Sequence, residues 1–299
     1  MLGVHQELLR DVVRTNAYRD AIRHFVNSDS VVLDIGTGSG ILSFFACEAG
    51  AGRVFAVEAQ HTADVATFLA KHLGYSDRME VIHDRSTNIE LPERATLLVT
   101  ETLGPFGFDE HILSTVIDAR ARLIRPDADI IPQRIELSVV PVEAPAVFEQ
   151  HVGWWKQRQF GFDLSPLAVF ASNVIYVANV GSESFLAPPA TVIAADLATV
   201  SSSEVCGRAH FTAARWTSLR ILRLVPRHAG SRRRAFERDC RCDRLEPCLS
   251  AAGDAARDRG GDFDRHRSGM RRRTIVAMER NDRLRAVRST DAVIRASVL

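Results

Sequence analysis

Nowhere in the 299 residues does an apolar run reach the roughly 18 needed to cross a bilayer, so no membrane-spanning helix is expected. The opening "MLGVHQELLRDVVRTNAYRDAI" carries too many charges for a secretory signal. Cysteine is sparse. Of five, Cys47 stands alone and Cys206, Cys240, Cys242 and Cys248 come late. None has the paired CxxC spacing of a zinc site, so no metal is expected and Cys240-x-Cys242 is read as incidental. A reducing, cytoplasmic setting is the default for such a chain.

Lysine is missing from residues 216–299, which hold 21 arginines and 11 acids, for a net charge of +10. Residues 1–215 carry −9, so a formal total of +1 hides a division. The late part, "GSRRRAFERDCRCDRLEPCLSAAGDAARDRGGDFDRHRSGMRRR", shows no sustained period of 2 or 3.6. Such a composition buries little apolar surface and predicts a poorly ordered tail. Nucleic-acid binding by this basic segment is the second reading of it, unsupported by aromatic residues after Phe263.

What is present in the first part is an alternation. Residues 4–26 read as a helix, with Val4, Leu8, Val12, Ile22 and Phe25 on one face. "SVVLDIG" (30–36) reads as a short apolar strand, "SGILSFFACEAG" (39–50) as a helix closed by Gly50, and "RVFAVE" (53–58) as a second strand. A helix over 61–74, strands at 79–84 and 95–101, and a helix over 109–124 continue the series. Apolar strands alternating with helices predict an α/β domain with a parallel sheet covered on both faces. After Pro126, "IIPQRIELSVVPVEA", "SNVIYVANV", "ATVIAADLATV" and "VCGRAHFTAAR" alternate apolar and polar residues, predicting an antiparallel β unit.

Chemistry concentrates in two places. The first is "LDIGTGSGIL", where Gly36, Gly38 and Gly40 lie at a strand-to-helix turn. A dinucleotide site would want glycine at 41, where Ile41 stands. Asp34 ahead of G-x-G-x-G instead favours S-adenosylmethionine, whose charged amine an acid can help neutralise. Glu58, ending the next strand, could accept both hydroxyls of a ribose. The alternative is a flavodoxin-like fold that binds nothing at this turn.

The second place is "VTETLGPFGFDEHIL" (99–113), two carboxylates, Glu101 and Glu110, around a short Gly-Pro-Gly loop. By spacing alone Glu101 is a strand-end acid and Glu110 a charge favoured by a helix N-terminus.

Residues 1–215 resemble the protein arginine methyltransferases. "HQELLRDVVRTNAYRDAI" resembles their N-terminal helix, "VVLDIGTGSGILSFFACEAGAGRVFAVE" their cofactor half-site, and "GWWKQRQFGFDLSPL" the start of their dimerisation arm. The resemblance implies an S-adenosylmethionine-dependent, Rossmann-like methyltransferase domain followed by a partial antiparallel β-barrel-like domain. Within it, residues 1–28 would be a helix closing over the cofactor, 29–132 the methyltransferase domain, 133–215 the partial β domain, and 216–299 the tail. Glu101 and Glu110 would be the family's double-Glu loop. Two carboxylates can bind the N–H fork of a protonated guanidinium, draw its charge from one nitrogen, and aim that nitrogen at a methyl group.

His5 and Arg14 would close over the cofactor, Arg14 on the methionine carboxylate, with Asp34, Gly36, Gly38, Gly40 and Glu58 as further contacts. Thr87 falls where many members have a Glu near the adenine. Trp154 and Trp155 would pack or serve a dimer arm. A protein substrate bearing arginine and a homodimer are the implied partners. The family's Thr-His-Trp loop has no counterpart in the chain, which leaves Asp11 without its usual histidine. Two alternatives therefore stand: methylation of a non-arginine nucleophile, or a cofactor-binding interaction protein with impaired catalysis.

Overall fold

Five strands form an all-parallel sheet in the order β3-β2-β1-β4-β5, in a computed structural model of the chain. The structure describes residues 2–104, 107–108, 110–174, 176, 178, 180–212, 221–228 and 291–298. All of them fall in one of the two units into which the chain's contacts divide.

Two helices come first, α1 (Leu2–Arg10) and α2 (Val12–Phe25). The sequence predicts one helix here. The break is at Asp11, whose side chain accepts the Arg14 backbone N–H at 3.1 Å and so caps α2. Apolar periodicity runs through this junction and hides it. There follow β1 (Val31–Ile35), α3 (Ile41–Glu48), β2 (Arg53–Val57), α4 (Thr62–His72), β3 (Met79–Ile82), β4 (Ala95–Thr100), α5 (Ile112–Arg122) and β5 (Ile124–Ile131).

Side-chain alternation in the strands builds two cores, one on each face of the sheet. Val31, Leu33 and Ile35 of β1, with Phe55 and Val57 of β2 and Leu98 of β4, meet Ile112, Leu113 and Val116 of α5. Val32, Val54, Ala56, Leu97 and Val99 face the other way, onto Tyr18 and Ile22 of α2 and Leu42 and Phe44 of α3. Leu33 and Val32 are both wholly buried, so truncating Leu33 to Ala should cost about 2–5 kcal/mol.

The change of grammar comes later than Pro126. β5 runs parallel to β4 as an edge strand whose middle, Arg125 to Asp127, is exposed, which is why it carries polar residues. Beyond the cis Ile131–Pro132 peptide, β6 (Arg134–Val142) starts the antiparallel part. A short helix α6 (Pro145–His151), the two-residue strands β7 (Arg158–Gln159) and β8 (Phe162–Asp163), and α7 (Leu167–Ala171) lead to β9 (Ala190–Asp196) and β10 (Val205–Thr212). β9 pairs with β6.

Among the described residues of "SNVIYVANV" the expected strand is absent. They lie in turns and irregular chain after α7, although they alternate in type. Two stretches of the basic tail, in contrast, are strands: β11 (Ile221–His228) against β6, and β12 (Asp291–Val298) against β10, both antiparallel. Ladder bonds supplied by β6 and β10 define them where side-chain alternation gave no signal. The rest of the tail lies outside the described residues.

Candidate functional site

A parallel sheet offers its ligand site at the carboxyl ends of its strands, where strand order reverses. Here the reversal lies between β1 and β4, since β2 and β3 extend on one side and β5 on the other. A cavity of about 960 Å³ opens at that end. His5, Arg14, Gly36, Gly38, Glu58, Thr87, Glu101 and Glu110 all line it. The sequence-predicted residues are thus brought together, with two exceptions.

Asp34 is wholly buried behind the cavity wall. Its Oδ2 accepts the Thr37 hydroxyl at 2.6 Å and the Ser43 hydroxyl at 2.7 Å, and its buried Oδ1 has no hydrogen-bond partner. Burial lifts the carboxyl to about 6, against the pull of the two hydroxyls and with a smaller push from Glu58. Instead of facing a ligand, Asp34 braces the turn from beneath, because β1 ends inside the sheet. Gly40 is the second exception; it caps α3 at φ 95°.

Glycine is required at two cavity positions. Gly36 has φ 77°, and a Cβ there would stand 2.5 Å from Thr102 Cγ2. At Gly38, φ is 57° and a Cβ would stand 2.5 Å from His5 Cε1 of α1. The Gly36 and Thr37 N–H groups donate to Val57 O at 2.9 and 3.1 Å, fixing the turn against β2. Glu58 locks it further. Its Oε2 accepts the Gly38 N–H and its Oε1 the Gln60 N–H, each at 2.8 Å. A carboxylate has about four acceptor positions, so each Glu58 oxygen keeps capacity for a further donor.

At the β4 end, Thr100 Oγ1 donates to Ile35 O at 2.9 Å and closes the β1–β4 seam. The buried Tyr18 hydroxyl donates to Thr100 O at 3.1 Å, tying α2 to the same point. Its pKa is driven up, first by burial and then by the Glu101 charge. Glu101 follows β4, and Arg14 Nη1 donates to its Oε1 at 3.1 Å. The predicted partner of Arg14 was a cofactor carboxylate; in the structure its guanidinium sits on Glu101, because α2 starts beside the end of β4. Burial raises the Glu101 pKa, Arg14 opposes that rise, and the like charge of Glu110 adds to it.

Glu110 is exposed and His111 behind it adopts φ 62° at the head of α5. Pro105, Phe106 and Asp109 of this loop lie outside the described residues. Trp154 and Trp155 meet edge to face at 4.8 Å, and Trp155 packs on Val152, Ala168 and Ala171, in keeping with the packing role expected.

Sequence reasoning missed Tyr18, Thr37, Ser43 and Asp84. Asp84 follows β3 and lines the cavity; Asn88 Nδ2 donates to it at 2.8 Å, which with the Arg85 N–H holds its pKa low. A signal for it existed: an acid lies within two residues of the end of each of β1, β2, β3 and β4, namely Asp34, Glu58, Asp84 and Glu101.

Comparison with known proteins agrees with this geometry. Residues 15–103 match the family model described as ribosomal protein L11 methyltransferase (PrmA). A probable protein arginine N-methyltransferase 6.2 of Oryza sativa subsp. indica is 33% identical over 210 residues, 68% of this chain and 53% of that protein. Protein arginine N-methyltransferase 6 of Danio rerio is 37% identical over 213 residues, 68% of this chain and 60% of that one. The chain therefore spans between half and three fifths of these relatives' length. Among solved structures, the Trypanosoma brucei PRMT1 enzyme-prozyme heterotetrameric complex with AdoHcy superposes with a TM-score of 0.66 and 29% identity, covering 71% of this chain and 68% of that one. Arabidopsis thaliana protein arginine methyltransferase 10 gives 0.62 and 26%, covering 74% of this chain and 71% of that one. The expected resemblance to protein arginine methyltransferases is borne out over the matched part.

Proposed function

We propose that the chain is an S-adenosylmethionine-dependent methyltransferase acting on arginine side chains of proteins. The observation that carries the reading is one cavity lined both by the glycine turn with Glu58 and by the pair Glu101 and Glu110. The residues fit the cofactor. Gly36 and Gly38 line the cavity with bare backbone where no side chain can stand, and the Glu58 oxygens keep acceptor capacity at the end of β2. Gly36, Gly38 and Glu58 would hold it, with His5 above the turn and Thr87 on the β3 side. Bound there, its sulfonium supplies an electrophilic methyl group.

The protein's own contribution is orientation and charge. Glu101 and Glu110 bind the guanidinium, pull its positive charge toward the bonded nitrogens, and leave the third nitrogen richer in electrons. Burial of Glu101 strengthens that pull and excludes competing water. The chemistry needs Glu101 ionised, and its raised pKa moves the loss of activity to higher pH than for an ordinary glutamate.

The wider assignments follow from the same reading. β6, β9, β10, β11 and β12 form the antiparallel, barrel-like part. The arm-like segment exposes Phe160, Phe162 and Phe170, at 97%, 70% and 70%, which supports a homodimer. Among the described residues no helix is long and apolar enough to cross a membrane. A cytoplasmic location is proposed.

The missing Thr-His-Trp tripeptide favours a second reading, transfer to a nucleophile other than arginine. Asp11, its usual neighbour, here caps α2 and stands 3.9 Å from Arg14. Incubating the purified chain with labelled S-adenosylmethionine and an arginine-rich peptide, followed by mass spectrometry, separates the two. Methylarginine supports the first reading; label on another residue supports the second, and cofactor binding without any transfer overturns both.

A further inference from the structure

The Arg14 guanidinium is held from three sides. Nη1 donates to Glu101 Oε1 at 3.1 Å, Nη2 donates to Leu8 O at 2.8 Å, and Nε lies 3.9 Å from Asp11 Oδ2. Asp11 also caps the Arg14 backbone N–H at 3.1 Å, so main chain and side chain are pinned at the α1–α2 break. Both Arg14 and Glu101 side chains are about one-fifth exposed. Arg14 takes Oε1, and no hydrogen bond among the described residues is directed to Oε2.

We propose that Arg14 is a positioning residue for Glu101: it immobilises Oε1 and leaves Oε2 as the oxygen offered to an incoming guanidinium. The proposal rests on the arginine-methyltransferase reading above. It gives Arg14 a job at the substrate end of the cavity, independent of any contact with the cofactor. A planar fork that holds Leu8 O on one nitrogen and Glu101 Oε1 on the other at fixed angles does this better than a flexible ammonium. The charge matters as well. Facing Glu101 are Arg14 and Tyr18 from α2, Asp11 from the α1–α2 junction, and Glu110 from the loop before α5. Arg14 is the only cation in that set. The other acids and burial all favour the protonated carboxyl, so loss of Arg14 tips Glu101 further toward it.

Two measurements on the full-length chain test this. In the first, Glu side chains are labelled with 13C at the carboxyl, and the Glu101 signal is assigned by its loss in Glu101→Gln. Its titration midpoint should move to higher pH in Arg14→Met and stay near the parent's in Arg14→Lys. An unmoved midpoint in a folded Arg14→Met would overturn the proposal, whether or not the chain methylates arginine. In the second, peptide methylation is followed against pH at saturating S-adenosylmethionine. Arg14→Met should lose more rate in acid than in base, with its acidic limb displaced upward. Arg14→Lys should restore the limb yet keep a reduced kcat, since charge returns without the fork. If the whole defect is a higher KM for the cofactor, with the limb in place, Arg14 serves the cofactor alone. A parent chain that never methylates arginine, but shows the displaced Glu101 midpoint, would sink the functional reading and leave the positioning role standing.

Discussion

At the β1–β2 end of the cavity every carboxylate oxygen except Asp34 Oδ1 is held by hydrogen bonds, whereas at the β4 end Glu101 depends on a single guanidinium. The first end is built from backbone amides and hydroxyls within 27 residues of chain, Asp34 to Gln60. The second is assembled from Arg14, Glu101 and Glu110, and 87 residues separate the two partners of its Arg14–Glu101 ion pair. A ligand that must be gripped the same way each time suits the first. A side chain that must be turned and activated suits the second, where charge rather than a fixed lattice of amides governs.

Substitutions that hurt one end and spare the other sharpen this contrast. The largest effect is expected from Glu101→Gln, which keeps shape and removes charge. Methyl transfer to an arginine peptide should fall by about 10²–10⁴-fold while cofactor affinity by calorimetry stays near the parent's. Glu110→Gln should match it, and the double variant should be scarcely worse than either single one, as residues acting as a unit are non-additive. Retention of most of the rate in both would return these acids to the roles of strand-end acid and helix-start charge.

Next comes Glu58→Ala, with a loss of cofactor affinity on the order of 2–4 kcal/mol from two charge-assisted hydrogen bonds. Unchanged titration calorimetry would contradict the ribose assignment.

Asp34 tests the buried side of the same end. Its folded pKa of about 6 lies above the ordinary value of 3.8, so the folded state binds this proton more readily than the unfolded chain. The stability it contributes is complete below the unfolded value and is lost as pH rises through about 6. Above that, the buried charge costs at most about 3 kcal/mol. Asp34→Asn carries no such charge, so its Tm relative to the parent should climb between pH 4 and pH 7. A gap that does not vary with pH would mean that Asp34 is not charged while buried.

The smallest effect is that of Tyr18→Phe, which removes the hydrogen bond to Thr100 O that moors α2 to β4. About 1 kcal/mol of stability should go, measurable as a lower urea midpoint with an unchanged slope.

The contrast also explains what the sequence revealed. The glycine turn was legible because its constraint is local: φ 77° and 57° at Gly36 and Gly38 favour glycine from the backbone alone. Glu58 was legible from its place after an apolar strand. The grip of Arg14 on Glu101 was not, since it depends on where α2 packs against the end of β4, and composition along either segment carries no trace of it. Asp34 was placed correctly on its strand and given the wrong outlook. A strand-end acid can point into the cavity or beneath the turn, and the hydroxyls of Thr37 and Ser43 decide that. β5 escaped notice beyond Pro126 because an edge strand tolerates polar residues in its middle.

The break at Asp11 has a consequence for local opening. α2 is anchored by buried Tyr18 and Ile22, while no side chain of α1 described by the structure is buried. With little apolar surface to expose on melting, α1 can unravel at a fraction of the global unfolding free energy. Because the cap at Asp11 terminates the hydrogen-bond ladder, that unravelling stops there and leaves α2 intact. Amide protons of the first nine helical residues, Leu2 to Arg10, should therefore exchange long before those of the next helix. The boundary between fast and slow should fall within a residue or two of Asp11.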